Sequence, residues 1–172
     1  MSSDSRLSLD RQVCFALYSA SRSFTNLYRP FLDELGLTYP QYLVMLVLWE
    51  HDSLAVKELG TRLRLDSGTL SPLLKRLEAG GLVERTRSAR DERSVDIRLT
   101  GAGRELRQQA ERIPPRLLAA SGLELGEIEE LRAALERLTT NVDEAARRAK
   151  AAVAAGEPIA DELLRGTTTR GD

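Results

Sequence analysis

Residues 54–100 read LAVKELGTRLRLDSGTLSPLLKRLEAGGLVERTRSARDERSVDIRLT, and this stretch decides the fold. Apolar residues in its first half recur every three or four positions, which predicts two short helices, the first at about residues 56–63 and the second beginning after Asp66. Aspartate is a favoured N-cap residue, and Gly80 and Gly81 end the second helix. Two helices with so short a connection have the spacing of a helix-turn-helix.

The second half of the stretch alternates apolar and polar residues in two runs, at residues 82–87 and 95–99. Alternation of this kind predicts the two strands of a β-hairpin, with residues 88–94 as its tip. A helix-turn-helix followed directly by a hairpin is the winged-helix arrangement. We therefore predict a mainly α fold with a small β-hairpin, in which the DNA-binding core occupies about residues 54–100.

Long amphipathic helices are predicted on both sides of this core. At about residues 8–35 the apolar positions follow three- and four-residue spacing, and Gly36 supplies a left-handed stop. Thr38 and Gln41 then form a capping box for a helix that is apolar on most sides. Residues 101–150 carry another apolar seam. These apolar seams lie outside the core, and the same helices of a second chain, related by a two-fold axis, can bury them. We therefore predict dimerisation helices at both ends.

The composition fits one globular domain. The chain has 172 residues, of which 42% are hydrophobic and 30% charged, so a packed core is possible. We predict a winged-helix domain at residues 1–150 and a flexible tail at residues 151–172. No apolar run reaches the roughly 18–20 residues of a membrane span, and no signal peptide is recognised, so a cytoplasmic protein without membrane contact is expected. With His51 as the one histidine, neither a metal site nor a cofactor is expected.

Candidate DNA contacts lie on the second core helix and on the hairpin. The leucines of the helix turn inward, and small hydroxyl side chains on its outer face let it enter the major groove. From Arg85 to Arg98 there are five arginines against three acids, although the whole chain has a net charge of -1. A solvated surface has similar residues, but the winged-helix order favours DNA contact. The predicted DNA-binding residues are Ser67, Thr69, Ser71, Pro72, Lys75, Arg76, Arg87, Arg90, Asp91 and Arg93.

The single cysteine, Cys14, lies in the first predicted helix, with Tyr18 one turn later on the same face. One cysteine excludes a disulfide within the chain. Cys14 is either a small apolar packing residue or, where phenol hydroxyls stabilise its thiolate, a nucleophile for peroxides. The second interpretation draws on Tyr18, Tyr28 and Tyr39, since three of the four tyrosines lie in the first helix and the cap of the next.

The sequence resembles the MarR family of transcription regulators. DSGTLSPLLKRLE at residues 66–78 and DERSVDIRLT at residues 91–100 carry the resemblance, which covers roughly residues 9–145. It implies a homodimer that binds an inverted repeat of double-stranded DNA, usually as a repressor.

Within that family the sequence is similar to the organic hydroperoxide resistance regulators. This resemblance implies that Cys14 is the sensor and that Tyr28 and Tyr39 contact it across the dimer interface. The hypothesis is that an organic hydroperoxide converts Cys14 to a sulfenic acid. Either a mixed disulfide with a low-molecular-weight thiol or an over-oxidised product then releases the operator. The stretches that carry the resemblance are CFALY at residues 14–18, LTYPQYL at residues 37–43 and LWEH at residues 48–51.

Two other functions stay open. The same fold suits a regulator that responds to a phenolic small molecule, in which Cys14 is incidental and a serine at that position leaves the response intact. A thiol peroxidase would use Cys14 as its nucleophile. The lack of a resolving cysteine disfavours the peroxidase, and we expect a regulator rather than an enzyme.

Overall fold

The structure, a computed structural model, describes residues 7–87 and 95–158. The predicted hairpin tip and the end of the predicted tail lie outside the described residues. The chain divides into two compact units between Ala120 and Ser121. The predicted boundary at residue 150 stays a prediction. The elements in chain order are a 3-10 turn (Leu9–Arg11), α1 (Val13–Glu34), α2 (Tyr39–His51), β1 (Ser53–Ala55), α3 (Val56–Leu63), α4 (Ser67–Ala79), β2 (Val83–Arg87), β3 (Val95–Leu99), α5 (Gly101–Ala110), α6 (Ile113–Ser121) and α7 (Leu125–Ala155).

The junction of α1 and α2 forms as the sequence predicts. Gly36 has a φ of +65°, a left-handed conformation that costs glycine little. The backbone N–H of Thr38 donates to Oε1 of Gln41 over 2.8 Å, which is one half of the predicted capping box. Inside α2, Tyr42 and Met45 are among the most buried residues of the chain. This helix is therefore the centre of the first unit.

A three-stranded antiparallel sheet lies beside the helix-turn-helix, in the order β1-β3-β2. Val83 pairs with Leu99 and Arg87 with Val95, which confirms the predicted hairpin. The third strand, β1, pairs Leu54 with Ile97 and was not predicted. Three residues are too few for alternation to be read from sequence, and their pairing partners lie more than forty positions away. The winged-helix fold class is confirmed, with β1 as an addition.

The core of the first unit joins α2, α4 and the sheet. Leucines on one face of α4 pack with apolar residues of α2 and with the inward-facing residues of β2 and β3, as the three- and four-residue spacing predicts. The buried apolar residues are Leu32, Leu37, Tyr42, Val44, Met45, Leu48, Leu59, Leu70, Leu73, Leu74, Leu77, Val83, Ile97, Leu99, Ala110, Ile113 and Leu117.

The first turn of α5 packs tightly against the start of the hairpin. A Cβ atom added at Gly103 would overlap the backbone carbonyl oxygen of Leu82, and a backbone atom in a packed core cannot move aside cheaply. We expect Gly103→Ala to lower the free energy of unfolding by about 3 kcal/mol, measured by urea denaturation at fixed protein concentration. Gly101→Ala is the matched control, because a Cβ at that position meets nothing within 4 Å. An equal stability of the two variants would contradict this packing argument.

The second unit contains α7, a helix of 31 residues. Glu124 and Glu127 form a capping box at its beginning, and Gly156, with a φ of 74°, ends it. The helix therefore extends five residues beyond the predicted limit at residue 150. Among its exposed apolar side chains are four that form one seam at three- and four-residue spacing: Leu131, Leu135, Leu138 and Val142.

Candidate nucleic-acid interface and thiol site

Helix α4 begins at a well-formed cap. Asp66 accepts hydrogen bonds from the backbone N–H of Thr69 over 2.9 Å and from the Thr69 hydroxyl over 2.9 Å. The first of these bonds is the main reason that the pKa of Asp66 lies below its usual value. The cap fixes the direction in which α4 leaves the turn, and it engages one of the hydroxyls that were predicted to face DNA.

The outer face of α4 carries the other predicted contacts. Because the leucines are buried, Ser67, Pro72, Lys75 and Arg76 are exposed on the side away from the core, and Ser71 is half-buried. This surface is polar at the beginning of the helix and cationic toward its end. Side chains of both kinds make contacts in the major groove, the first by allowing close approach and the second by binding bases or phosphates.

The hairpin contributes fewer described contacts. Arg87, at the end of β2, is exposed, whereas Arg85 pairs with Glu78 of α4, with Nε 3.0 Å from Oε2. That ion pair ties the strand to the helix. The predicted tip residues Arg90, Asp91 and Arg93 lie outside the described residues, and their role stays a prediction.

A groove of about 690 Å³ lies between α3, α4 and the sheet. Lys57, Thr61 and Arg64 line it from α3 and the following turn, together with Ser67 and Arg85. None of the three α3-side residues was predicted as a DNA contact. No sequence pattern marks them, because they face the same space as α4 only once the two helices are docked. Cationic and hydroxyl side chains in such a groove suit phosphate oxygens.

Cys14 lies in the first turn of α1 and is exposed. Tyr18, one turn later, is 56% exposed. Nη1 of Arg22 donates a hydrogen bond to the Tyr18 hydroxyl over 2.9 Å, and the guanidinium carbon lies 5.6 Å from the centre of the ring. Tyr18 is therefore held by a cation on its own helix.

The other two predicted sensor tyrosines contact each other. The ring centres of Tyr28 and Tyr39 are 5.0 Å apart, and Tyr42 extends the group, 5.7 Å from Tyr28. Burial, reinforced by the neighbouring phenols, raises the pKa of Tyr28 to about 12. A phenol is protonated at neutral pH even without this rise, so the Tyr28 hydroxyl can donate a hydrogen bond to a thiolate.

The predicted sensor residues are not all brought together within one chain. Cys14 and Tyr28 lie on the same helix, and their separation of fourteen positions corresponds to about 21 Å along the helix axis. A thiol cannot bond to a phenol over that distance. Within one chain the predicted sensor residues thus lie in two separate groups: Cys14 with Tyr18, called the cysteine half-site below, and Tyr28 with Tyr39, called the tyrosine half-site.

A membrane-spanning helix and a metal-binding cluster are both absent from the described part of the chain. None of its helices is long and apolar enough to cross a membrane. No cluster of three or more metal-ligating side chains occurs among residues 7–87 and 95–158. His51 lies 3.6 Å from the carboxylate of Glu50 at the end of α2.

Comparison with known proteins gives consistent matches. The family model described as transcriptional regulator SarA/Rot matches residues 26–110. The organic hydroperoxide resistance transcriptional regulator of Bacillus subtilis is 49% identical over 132 residues, 77% of this chain and 90% of that protein. The HTH-type transcriptional regulator TtmR of Methylorubrum extorquens is 51% identical over 146 residues, 85% of this chain and 73% of that protein.

Among solved structures the chain is similar to AbfR of Staphylococcus epidermidis. The structure of reduced AbfR bound to DNA has a TM-score of 0.66 at 38% identity, over 79% of this chain and 93% of that one. AbfR has also been solved overoxidized and bound to DNA, with a TM-score of 0.58, and with a disulfide formed, with a TM-score of 0.54.

Proposed function

The chain belongs to the organic hydroperoxide resistance regulators of the MarR family of winged-helix transcription regulators, and on that premise we propose that it is a homodimeric repressor with a one-cysteine peroxide sensor. It binds an inverted repeat in double-stranded DNA and releases it when an organic hydroperoxide oxidises Cys14. The observation that supports the sensor is that Tyr28 and Tyr39 contact each other far from Cys14 of the same chain, so a thiol site that contains all three residues would take its cysteine from a second chain.

DNA binding is supported by the outer face of α4 and by the cationic groove beside it. In that arrangement α4 lies in the major groove, and the groove side chains Lys57 and Arg64 contact the flanking phosphates. AbfR, whose fold this chain shares, is bound to DNA in its reduced form. The outer face of α4 is also exposed in this chain, which leaves it free for DNA.

Dimerisation is supported by apolar side chains that one chain leaves in water. On α1, Val13 is 63% exposed and Phe24 is 40% exposed, and the four-residue seam of α7 is also exposed. Burying a large apolar side chain contributes about 1.5–3 kcal/mol, so pairing these helices across a two-fold axis stabilises the dimer. The dimer then presents two copies of α4 to the two halves of an inverted repeat.

In the dimer, Cys14 of one chain is placed beside Tyr28 and Tyr39 of the other. The phenol of Tyr28 stays protonated and donates to the sulfur, which favours the thiolate. The thiolate attacks the terminal oxygen of the hydroperoxide, so that an S–O bond forms and the O–O bond breaks. The sulfur is oxidised to a sulfenic acid. The peroxide is reduced to an alkoxide, which takes up the proton that the Cys14 thiol lost on ionisation and leaves as an alcohol.

A low-molecular-weight thiol then attacks the sulfenic sulfur, an S–S bond forms, and water leaves. We assign release to this mixed disulfide rather than to over-oxidation, because overoxidized AbfR is bound to DNA. The adduct is bulky, and it separates the sulfur from the tyrosines. Tight binding requires both copies of α4 to contact their halves of the inverted repeat at the same time, so a small shift of one copy relative to the other is sufficient for release.

The test uses wild-type protein and a fluorescent duplex carrying the inverted repeat from its own upstream region. Binding is followed by anisotropy before and after one equivalent of cumene hydroperoxide and a small thiol, and Cys14 is examined by mass spectrometry. We expect tight binding when reduced, and release together with one thiol adduct on Cys14. Release with Cys14 still reduced would disprove the sensor. Consumption of many equivalents of peroxide per Cys14 would indicate a peroxidase instead.

A second candidate, a regulator responding to a phenolic ligand, is supported by a cavity of about 210 Å³ between α2, α5 and α6. Tyr42 and Trp49 line it on one side, and Arg107, paired with Glu111 over 3.3 Å, lines the other. This hypothesis predicts that a phenolic ligand releases DNA from reduced protein, whether or not Cys14 is present.

A further inference from the structure

A row of aromatic rings leads away from the tyrosine half-site. It begins with Tyr39 and Tyr28, continues through Tyr42, and ends at Trp49, whose ring centre is 6.1 Å from that of Tyr42 in an edge-on contact. Tyr28 comes from α1 and the other three from α2. The row thus runs the length of α2, from the beginning of that helix to its last turn.

At its far end the row makes one directional contact with another helix. Nε1 of Trp49 donates a hydrogen bond of 2.8 Å to the backbone carbonyl of Gly103 in the first turn of α5. Nη1 of Arg107 in turn donates to the backbone carbonyl of Trp49 over 3.1 Å. The indole has one N–H donor and no acceptor, so this contact is either made or lost when the ring moves.

The first turn of α5 packs against the start of the hairpin and is hydrogen-bonded to it through Thr100. We call Gly81, Leu82 and Leu99 the base of the wing. Gly103 lies against the carbonyl of Leu82, and the backbone N–H of Thr100 donates to that same carbonyl over 3.1 Å. The Thr100 hydroxyl donates to the carbonyl of Gly81 over 2.6 Å. A displacement of this turn therefore moves the beginning of β2.

The end of α2 is also tied to β3. The backbone N–H of Leu99 donates to the carbonyl of Asp52 over 3.0 Å. The carboxylate of Asp52 accepts two hydrogen bonds from Arg104 of α5, over 2.7 and 3.1 Å. These bonds hold the last turn of α2, the first turn of α5 and the hairpin together. Trp49 belongs both to this hydrogen-bonded group and to the aromatic row.

We propose that Trp49 is a positioning residue that couples the thiol site to the wing through its hydrogen bond to Gly103. This inference rests on the proposed function. When oxidation of Cys14 displaces the partner's sulfur from the Tyr28 and Tyr39 half-site, the rings of the row shift, the indole N–H leaves Gly103, and the base of the wing moves. Packed interiors pass on such shifts because their side chains have little free space.

The experiment compares Kd for DNA before and after oxidation of Cys14, and the ratio of the two values is the readout. Coupling between two sites is typically about 5- to 150-fold, and we expect a ratio in that range for the wild type. Trp49→Phe keeps an aromatic ring but removes the N–H donor. Because the reduced variant already lacks the bond that oxidation breaks, we expect its reduced Kd to rise toward that of oxidised wild type and its ratio to fall below about threefold, with Cys14 oxidised at the wild-type rate. A role in folding alone would leave the ratio unchanged.

Tyr42→Phe is the matched control. It removes a hydroxyl from the same row but keeps the ring contacts and the Trp49 bond to Gly103, so its ratio should equal that of the wild type. A wild-type ratio in Trp49→Phe, or an equal loss in Tyr42→Phe, would overturn the assignment to the indole hydrogen bond. If oxidised wild type itself holds DNA, the proposed function fails and this inference with it, so the two failures are distinguishable.

A measurement on the wild type covers the case in which Trp49→Phe does not fold. Trp49 is the one tryptophan of the chain, so its fluorescence reports this site alone. Loss of the hydrogen bond to Gly103 should shift its emission when Cys14 is converted to the mixed disulfide in the absence of DNA. An unchanged emission spectrum after complete oxidation would overturn the inference.

Discussion

Replacing Cys14 with serine is expected to abolish release from DNA by organic hydroperoxide while leaving the reduced affinity within about twofold of wild type. A serine hydroxyl is not ionised at neutral pH and is not oxidised by peroxide, so neither the sulfenic acid nor the mixed disulfide forms. The residue is exposed near the beginning of α1 and makes no part of the α4 surface. For the wild type we expect affinity to fall by about 5- to 150-fold on oxidation, which is the range of allosteric coupling. Anisotropy titrations with and without one equivalent of peroxide measure both values.

A control for position uses a displaced thiol. Ser21 is exposed on the same helix, two turns beyond Cys14, and Ser21→Cys in the Cys14→Ser background restores a thiol at a site that was not predicted to face the tyrosines. We expect this double variant to be alkylated readily but to hold DNA after peroxide. Equal release by the wild type and by Cys14→Ser would contradict the sensor and favour the phenolic-ligand regulator.

Removing the cationic end of α4 is expected to weaken DNA binding by about 100-fold or more in the double variant Lys75→Ala/Arg76→Ala. Each contact to a base or phosphate contributes about 1–3 kcal/mol, and a dimer loses every contact twice. The effect should be equal in reduced and oxidised protein, since these side chains contact DNA rather than the thiol site. Affinity at several salt concentrations is the measurement.

The salt dependence of DNA affinity shows whether Lys75 and Arg76 contact phosphates or bases. If one of them binds a phosphate in each half-site, the slope of log K against log salt should become less steep by about 2. Arg132→Ala is the control, because Arg132 is an exposed cation of α7 paired with Glu136. Its removal changes the net charge in the same direction and should leave the affinity within about twofold. A similar loss in both variants would mean that α4 does not read the DNA.

Much of the winged-helix unit follows from patterns within a few residues. The spacing of the leucines set the buried face of α4, the Asp66 cap set its start, and the alternation after Leu82 predicted two strands whose pairing is confirmed. The outer face of α4 was predicted as the set of positions that the inward-facing leucines do not occupy. In each case the signal depends on neighbours one helical turn or one strand position away, which is why it can be seen without the fold.

Other parts of the site depend on contacts between distant segments. Lys57 and Arg64 line the groove only because α3 docks against α4. No local pattern marks the role of Trp49, because its N–H donates to the carbonyl of a residue 54 positions later. The strand β1 forms because it hydrogen-bonds to β3 at the edge of the hairpin. The assignment of Arg90, Asp91 and Arg93 to DNA stays a prediction.

The sequence by itself determined the helix-turn-helix and the hairpin after it, the caps at Thr38 and Asp66, the inward face of α4 and the presence of a single thiol, because each follows from local periodicity, capping chemistry or residue type. Only the tertiary structure decided that Tyr28 and Tyr39 form one aromatic group with Tyr42, that Cys14 lies far from that group, and that the end of α2 is hydrogen-bonded to α5 and to β3. Those relations arise from the packing of α1, α2 and α5, and no local pattern encodes the distance between residues that meet only after the helices dock.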